Sequence, residues 1–118
     1  MHTKKIAVDF DGTLCENKFP SIGRPNWKVI NELLAEQQAG SKIILWTCRA
    51  GEDLKNALEW CKNHNIEFDA VNENMPDIIE AFAVNSRKIY ADEYWDDRAV
   101  VKRFNAEDMS DYGCQVDC

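Results

Sequence analysis

Short apolar runs alternate with helix-like segments along most of the chain. Residues 5–10 and 42–47 are apolar runs that end in acidic, polar or turn-forming residues, which is typical of buried strands. After each run, apolar residues recur at helical spacing, first from Trp27 towards a stop at Gly40 and then from Leu54 to Cys61. The pattern predicts two strand-helix units in the first half of the chain.

The second half continues this alternation. It predicts a third strand at 66–71, a third helix at about 77–84 and a fourth strand that ends near Trp95. Residues 13–26 contain two prolines and a glycine without a clear period, so we expect a loop or flap over the end of the first strand. Strands that alternate with helices predict an α/β fold, a three-layer Rossmann-like sandwich around a mostly parallel sheet.

Length and composition are those of one globular domain. The chain has 118 residues, of which 45% are hydrophobic and 30% charged. We interpret residues 1–106 as the core domain and 107–118 as an acidic tail. The apolar runs are far shorter than the roughly 20 residues that cross a bilayer, and the start has no signal-peptide pattern. We therefore expect a cytoplasmic protein.

The net charge and the cysteine content limit the classes of partner and site that are expected. A net charge of −7 disfavours nucleic acid, which needs clustered Lys and Arg, but it does not exclude a small phosphorylated molecule. Five scattered cysteines fit reduced thiols rather than a disulfide framework. Cys114 and Cys118 could grip a metal, although no CxxC pair or nearby His completes a zinc site, so a frayed tail is the favoured interpretation.

Polar side chains gather where the predicted strands end. Asp9 and Asp11 end the first strand, and Thr47 with Arg49 ends the second; the fourth is approached by Lys88 and followed by Asp96 and Asp97. Ligands bind at the carboxyl ends of strands in open parallel sheets. Clustered carboxylates with a hydroxyl and a cation suit phosphoryl transfer, and the acids call for a hard cation such as Mg²⁺.

The hexapeptide from Asp9 to Leu14, DFDGTL, resembles the first signature of the haloacid dehalogenase-like hydrolase superfamily. The later signatures follow in order, with Thr47, Lys88 and the pair Asp96-Asp97, so that the resemblance covers about the first 100 residues. It implies a Mg²⁺-dependent phosphatase that acts through an aspartyl-phosphate intermediate.

The resemblance also implies a role for each matched residue. Asp9 would be the nucleophile, and Asp11 the general acid and base, with its backbone carbonyl on the metal. Thr47 would hydrogen-bond a phosphate oxygen, and Lys88 would neutralise charge on the nucleophile and the phosphoryl group. Asp96 and Asp97 would complete the metal site formed with Asp9 and Asp11.

Two assignments remain open. Asp92 and Asp96 also fit a family spacing in which two acids are separated by three residues, but Lys88 would then lie inside the same strand, so we favour Asp96-Asp97. Arg49 follows Thr47 closely enough to bind a substrate phosphate, carboxylate or hydroxyl, and an equally good interpretation is a surface salt bridge.

The superfamily's cap domain has no counterpart here, because neither insertion point has room for one. Capless relatives tend to accept bulky substrates or to borrow a neighbouring subunit as a lid, so a homo-oligomer is expected. We expect a phosphatase for a small metabolite such as a sugar phosphate. The alternatives are a non-catalytic binding protein of the same fold and a nucleic-acid end-processing phosphatase.

Overall fold

The computed structural model describes residues 3–73, 75, 90–97 and 102–103, the last pair by backbone alone. The predicted helix at 77–84, Lys88 and the tail 107–118 lie outside the described residues. The elements in chain order are β1 (Lys5–Asp9), β2 (Cys15–Lys18), β3 (Ser21–Pro25), α1 (Trp27–Gln38), β4 (Lys42–Trp46), α2 (Gly51–Asn63), β5 (Ala70–Val71), β6 (Glu93–Trp95) and β7 (Lys102–Arg103).

The five-stranded sheet has β1 at its centre, in the order β5-β4-β1-β6-β7. The pairs β5-β4, β4-β1 and β1-β6 are parallel, whereas β7 pairs antiparallel with β6. A mostly parallel α/β sheet was predicted and is confirmed. The third strand is shorter than predicted, with only Ala70–Val71 in the ladder, and β7 was not predicted.

Both faces of the central strands are buried, which explains why their sequences are continuously apolar. One face carries Ile6 and Val8 of β1 with Ile43 and Leu45 of β4, and it packs against both described helices. The opposite face carries Ala7, Ile44, Trp46 and Tyr94 in a second cluster. The helix predicted at 77–84, which would add the third layer, is among the residues that are not described.

The two helices begin and end close to the predicted positions. Gly40 follows α1 with φ +98°, a left-handed conformation that glycine adopts without strain. Helix α2 begins at Gly51, three residues before the first apolar residue of its predicted face, and its first turn carries Glu52 and Asp53. The negative charges of these acids interact favourably with the positive, amino-terminal end of the helix dipole. Within the described residues, neither helix is long and apolar enough to span a membrane.

The predicted flap at 13–26 contains an antiparallel hairpin, β2-β3, that the sequence pattern did not reveal. Arg24 pairs with Glu16 across the hairpin through Nε (2.7 Å) and Nη2 (3.0 Å). Gly23 is needed there because a Cβ would lie 2.5 Å from the Glu16 carbonyl oxygen. No cap domain is evident in the described part of the chain, so this hairpin is the insertion seen after β1.

Candidate functional site

The carboxyl ends of three parallel strands bring the predicted site residues to one edge of the sheet. Asp9 lies opposite Trp46 in the β1-β4 register, so Thr47 follows immediately beside it. Val8 lies opposite Trp95 in the β1-β6 register, which brings Asp96 level with Asp9. Asp9, Thr47 and the Asp96-Asp97 pair are thus neighbours, although they are distant in the chain.

Asp9 has the most strongly perturbed carboxyl group at this edge. Its pKa is raised to about 7, mainly by burial and also by the nearby charges of Asp97, Asp11 and Asp96, whereas the hydrogen bond from the Phe10 N–H lowers it. The Phe10 N–H donates to Asp9 Oδ1 at 2.9 Å. Perturbed carboxyl groups at strand ends are typical of functional sites.

The turn after β1 holds these acids close together. Gly12 has φ +88°, and its N–H donates to the Cys15 carbonyl at 2.9 Å. A Cβ at Gly12 would lie 3.4 Å from Cβ of Asp97. A side chain here would therefore be strained by the backbone and crowded by Asp97, which accounts for the glycine.

Thr47 is held by hydrogen bonds on both sides. Its backbone N–H donates to Asn72 Oδ1 at 2.8 Å, and its buried Oγ1 accepts the Arg49 N–H at 3.2 Å. Because the hydroxyl oxygen is the acceptor in that bond, its proton remains to be donated to a ligand. Asn72, with φ 54°, was not singled out from the sequence; only its short polar side chain, which suits this conformation, could have drawn attention to it.

Arg49 forms a salt bridge in the structure, but not the surface salt bridge considered from the sequence. It is 2% exposed, so it is not part of a surface salt bridge, and it forms a bidentate ion pair with Asp11. Both contacts, from Nε and Nη2, are 2.8 Å long. The ion pair with Asp11 raises the pKa of the Arg49 guanidinium.

Asp92 lies at the opposite end of the sheet from Asp9. Its Oδ2 accepts the Lys5 N–H at 2.7 Å, and its own N–H donates to the Lys5 carbonyl at 2.8 Å. Lys5 begins β1, whereas Asp9 ends it. Of the two acidic pairs left open by the sequence, only Asp96-Asp97 has both members at the edge that carries Asp9.

Neither of the two cysteines that the structure describes as free has a reactive thiol. Cys15 and Cys61 are buried, and burial raises the pKa of Cys15 to about 11 and that of Cys61 to about 12. Thiols of such high pKa are poor nucleophiles. Cys48 is disulfide-bonded, which departs from the expectation that every cysteine is reduced.

The donor set at this edge suits a hard cation. Within the described ranges, no three His, Cys, Asp or Glu side chains are already arranged as a metal cage, and the Asp11 carboxylate faces Arg49. The acids that remain are Asp9, Asp96 and Asp97, and the last two are close enough to Asp9 for their charges to raise its pKa. A divalent cation with oxygen ligands would relieve that repulsion, so these residues fit Mg²⁺.

The fold and this edge define a small α/β protein with an acid-rich site at the carboxyl ends of a parallel sheet. A solved structure of a conserved protein from Bacteroides thetaiotaomicron is 41% identical, covers 84% of this chain and 79% of that one, and superposes with a TM-score of 0.71. The chain therefore belongs to the same family as that Bacteroides protein.

A second solved structure, from Vibrio cholerae, is 25% identical over 58% of this chain and 68% of its own. Its TM-score of 0.46 is too low to carry an argument. No protein-family profile matches the chain, and no curated protein does.

Proposed function

We propose that this protein is a Mg²⁺-dependent phosphohydrolase of the haloacid dehalogenase-like type that cleaves phosphomonoesters through an aspartyl-phosphate. The observation that carries the proposal is the meeting of Asp9, Thr47 and the Asp96-Asp97 pair at one sheet edge. The DFDGTL hexapeptide around Asp9 supports the same chemistry by resemblance.

Asp9 acts as the nucleophile. Its Oδ1 accepts the Phe10 N–H, which orients the carboxylate and leaves Oδ2 for attack on phosphorus. A bond forms between Oδ2 and phosphorus while the ester P–O bond breaks, and the leaving oxygen takes a proton from Asp11. Water then attacks the aspartyl-phosphate, gives a proton to Asp11 and regenerates Asp9. Two easier steps replace one difficult step.

The remaining residues position the phosphoryl group and balance its charge. The Thr47 hydroxyl donates to a phosphate oxygen, since its oxygen already accepts the Arg49 N–H. Lys88, outside the described residues, is assigned by resemblance alone. Mg²⁺ would be held by Asp9, the Asp11 carbonyl, Asp96 and Asp97, directly or through water. It supplies electrostatic stabilisation of the phosphoryl oxygens.

The substrate class follows from the shape and charge of the chain. Among the described residues a short hairpin, and no cap, follows β1 beside the site, and the net charge of −7 opposes a polyanionic polymer. A small phosphorylated metabolite, such as a sugar phosphate, fits both features. A second subunit that acts as a lid would complete such a site.

Phosphate release from an aryl phosphate, with and without Mg²⁺, tests the proposal. We expect a burst of phenol release in wild type and a fall in turnover of about three orders of magnitude or more in Asp9→Asn. Asp92→Asn is the matched control, because it makes the same change at the far end of the sheet. Equal turnover in wild type and Asp9→Asn would rule out Asp9 as the nucleophile, and the absence of phosphate release from both would favour a binding protein.

A panel of phosphorylated metabolites and 5′- or 3′-phosphorylated oligonucleotides, assayed at several salt concentrations, then identifies the substrate class. Higher kcat/KM on a metabolite that is insensitive to salt is the expected result. A preference for oligonucleotides that weakens steeply with salt would instead identify a nucleic-acid end-processing enzyme.

A further inference from the structure

Every N–H group of the buried Arg49 guanidinium has an acceptor. Nε and Nη2 bind the two carboxylate oxygens of Asp11. Nη2 also donates to the Ser21 carbonyl at 2.9 Å, and Nη1 donates to the carbonyls of Pro20 (3.0 Å) and Asp53 (3.4 Å). A guanidinium has five N–H donors, so no donor remains for a substrate group.

Two aromatic rings complete the surroundings of Arg49. Its guanidinium carbon lies 5.0 Å from the ring centroid of Phe10 and 5.0 Å from that of Phe19. Phe19 is at the hairpin tip and is 56% exposed, and its contact with the guanidinium is a cation–π interaction. The hairpin tip thus contacts Arg49 through one ring and two carbonyl groups.

This arrangement connects three parts of the molecule through one side chain. Arg49 joins the hairpin tip, the start of α2 and the carboxylate of Asp11. A buried charge of this kind is tolerated only while its partners stay in place, because an unpaired guanidinium in the interior is strongly destabilising. The orientation of Asp11 and the position of the hairpin tip are therefore linked.

We infer that Arg49 is a positioning residue that fixes the direction of the Asp11 carboxylate and makes it depend on the seating of the β2-β3 hairpin. The inference rests on the proposed function, in which Asp11 exchanges protons with the leaving group and with water. Each carboxylate oxygen has a second lone pair, so the bidentate contact orients Asp11 without occupying it fully.

Arg49→Lys tests this role, because lysine keeps the charge but cannot make the bidentate contact. We expect kcat to fall about 10- to 100-fold on an alkyl phosphate, with little change in KM. The fall should be smaller on a dinitrophenyl phosphate, whose leaving group needs no proton. Arg24→Lys is the matched control, since it breaks the exposed bidentate pair with Glu16 in the same hairpin and should change both substrates equally little.

A double-mutant cycle separates positioning from general support of the fold. If Arg49 acts through Asp11, Arg49→Lys should cause no further loss of kcat in an Asp11→Asn background. Losses that multiply, or a loss in the rate of the initial burst that is independent of the leaving group, would overturn the inference. Should Arg49→Lys fail to fold, Phe19→Ala removes the exposed ring alone and should show the same leaving-group dependence at about 3- to 10-fold.

Hydrogen exchange gives a readout that needs no activity. Asp11→Asn should speed amide exchange at residues 17–22 of the hairpin relative to wild type. Arg24→Lys should leave the amide exchange rates of Asp11 and of the core strands unchanged. An unchanged hairpin in Asp11→Asn would overturn the link between the two. If wild type releases no phosphate, the proposed function is overturned. The exchange experiment still tests separately whether the Asp11 carboxylate and the β2-β3 hairpin are linked.

Discussion

Charged groups are arranged differently at the two ends of the parallel strands, which are called here the amino edge and the carboxyl edge of the sheet. At the amino edge, acids are matched with donors: Asp92 accepts the Lys5 N–H, Asp69 accepts the Ile43 N–H, and Lys4 binds Glu93. At the carboxyl edge, the acids are crowded together, and their charges help to raise the pKa of Asp9. The first edge stabilises the fold, whereas the second keeps acids close together, an arrangement that is often found at functional sites.

Strand β6 shows the contrast within one short element. Asp92 precedes it and binds the backbone of Lys5, while Asp96 and Asp97 follow it and lie beside Asp9. The same residue type thus serves the fold at one end and the candidate site at the other. Strand direction decides the outcome, because the carboxyl ends of parallel strands all point to one edge.

After the loss expected for Asp9→Asn, the largest effect is expected from Thr47, the hydroxyl at the carboxyl edge. Thr47→Val removes the donor while it keeps the shape, so kcat/KM for phosphate release should fall about 100- to 1000-fold. Thr47→Ser keeps the hydroxyl and should retain most activity. If the valine variant turned over substrate as well as the serine variant, Thr47 would contribute only to the strand end.

A smaller effect is expected when the two ends of β6 are compared. Asp97→Asn should raise the Mg²⁺ concentration for half-maximal activity about 10- to 100-fold, because it weakens the metal's surroundings. Asp92→Asn should leave that concentration unchanged and lower the free energy of unfolding by about 1 kcal/mol, since a charged hydrogen bond becomes neutral. A Mg²⁺ dependence that shifts equally in both variants would remove the distinction between the edges.

The smallest effect concerns Asp9 and pH in the metal-free protein. Its folded pKa of about 7 lies above the ordinary 3.8, so between these values the folded state binds a proton that the unfolded state has lost. Stability should therefore fall as pH rises from 4 to 7. Urea denaturation midpoints should show this decline in wild type and a weaker one in Asp9→Asn. Parallel curves for the two proteins would exclude a raised pKa at Asp9.

Mg²⁺ gives an independent check on the same crowding. At pH values above 7, added Mg²⁺ should raise the urea concentration at the denaturation midpoint of wild type. An ion that binds only the folded state stabilises that state. The increase should be reduced in Asp9→Asn, where one ligand has lost its charge. An equal increase in both proteins would indicate that the ion binds elsewhere.

Local pattern was sufficient to predict the central strands and both described helices. Strands β1 and β4 are buried on both faces, so their apolar runs are unambiguous, and both helices follow clear apolar periods. The hairpin escaped prediction because its residues are mostly exposed or half-buried, so that no apolar alternation marks it. The strand predicted at 66–71 was too long, since only Ala70 and Val71 pair with β4.

The candidate site was predictable where it depends on strand ends and not where it depends on long-range contacts. Asp9, Thr47 and Asp96-Asp97 follow apolar runs, so the rule for parallel sheets brings them together. Nothing in the sequence indicates that Arg49 binds Asp11, which is 38 positions earlier in the chain. Asn72 is likewise joined to Thr47 only by the fold.

The amino-acid sequence by itself determined the elements and their order, because burial of a strand or a helix face leaves a periodic trace in neighbouring residues. Only the tertiary structure decided which charges meet. By sequence spacing either Asp92 or Asp97 could partner Asp96, yet strand direction brings Asp92 to Lys5 and Asp97 beside Asp9. Such pairing depends on distances across the sheet, which have no counterpart in local periodicity.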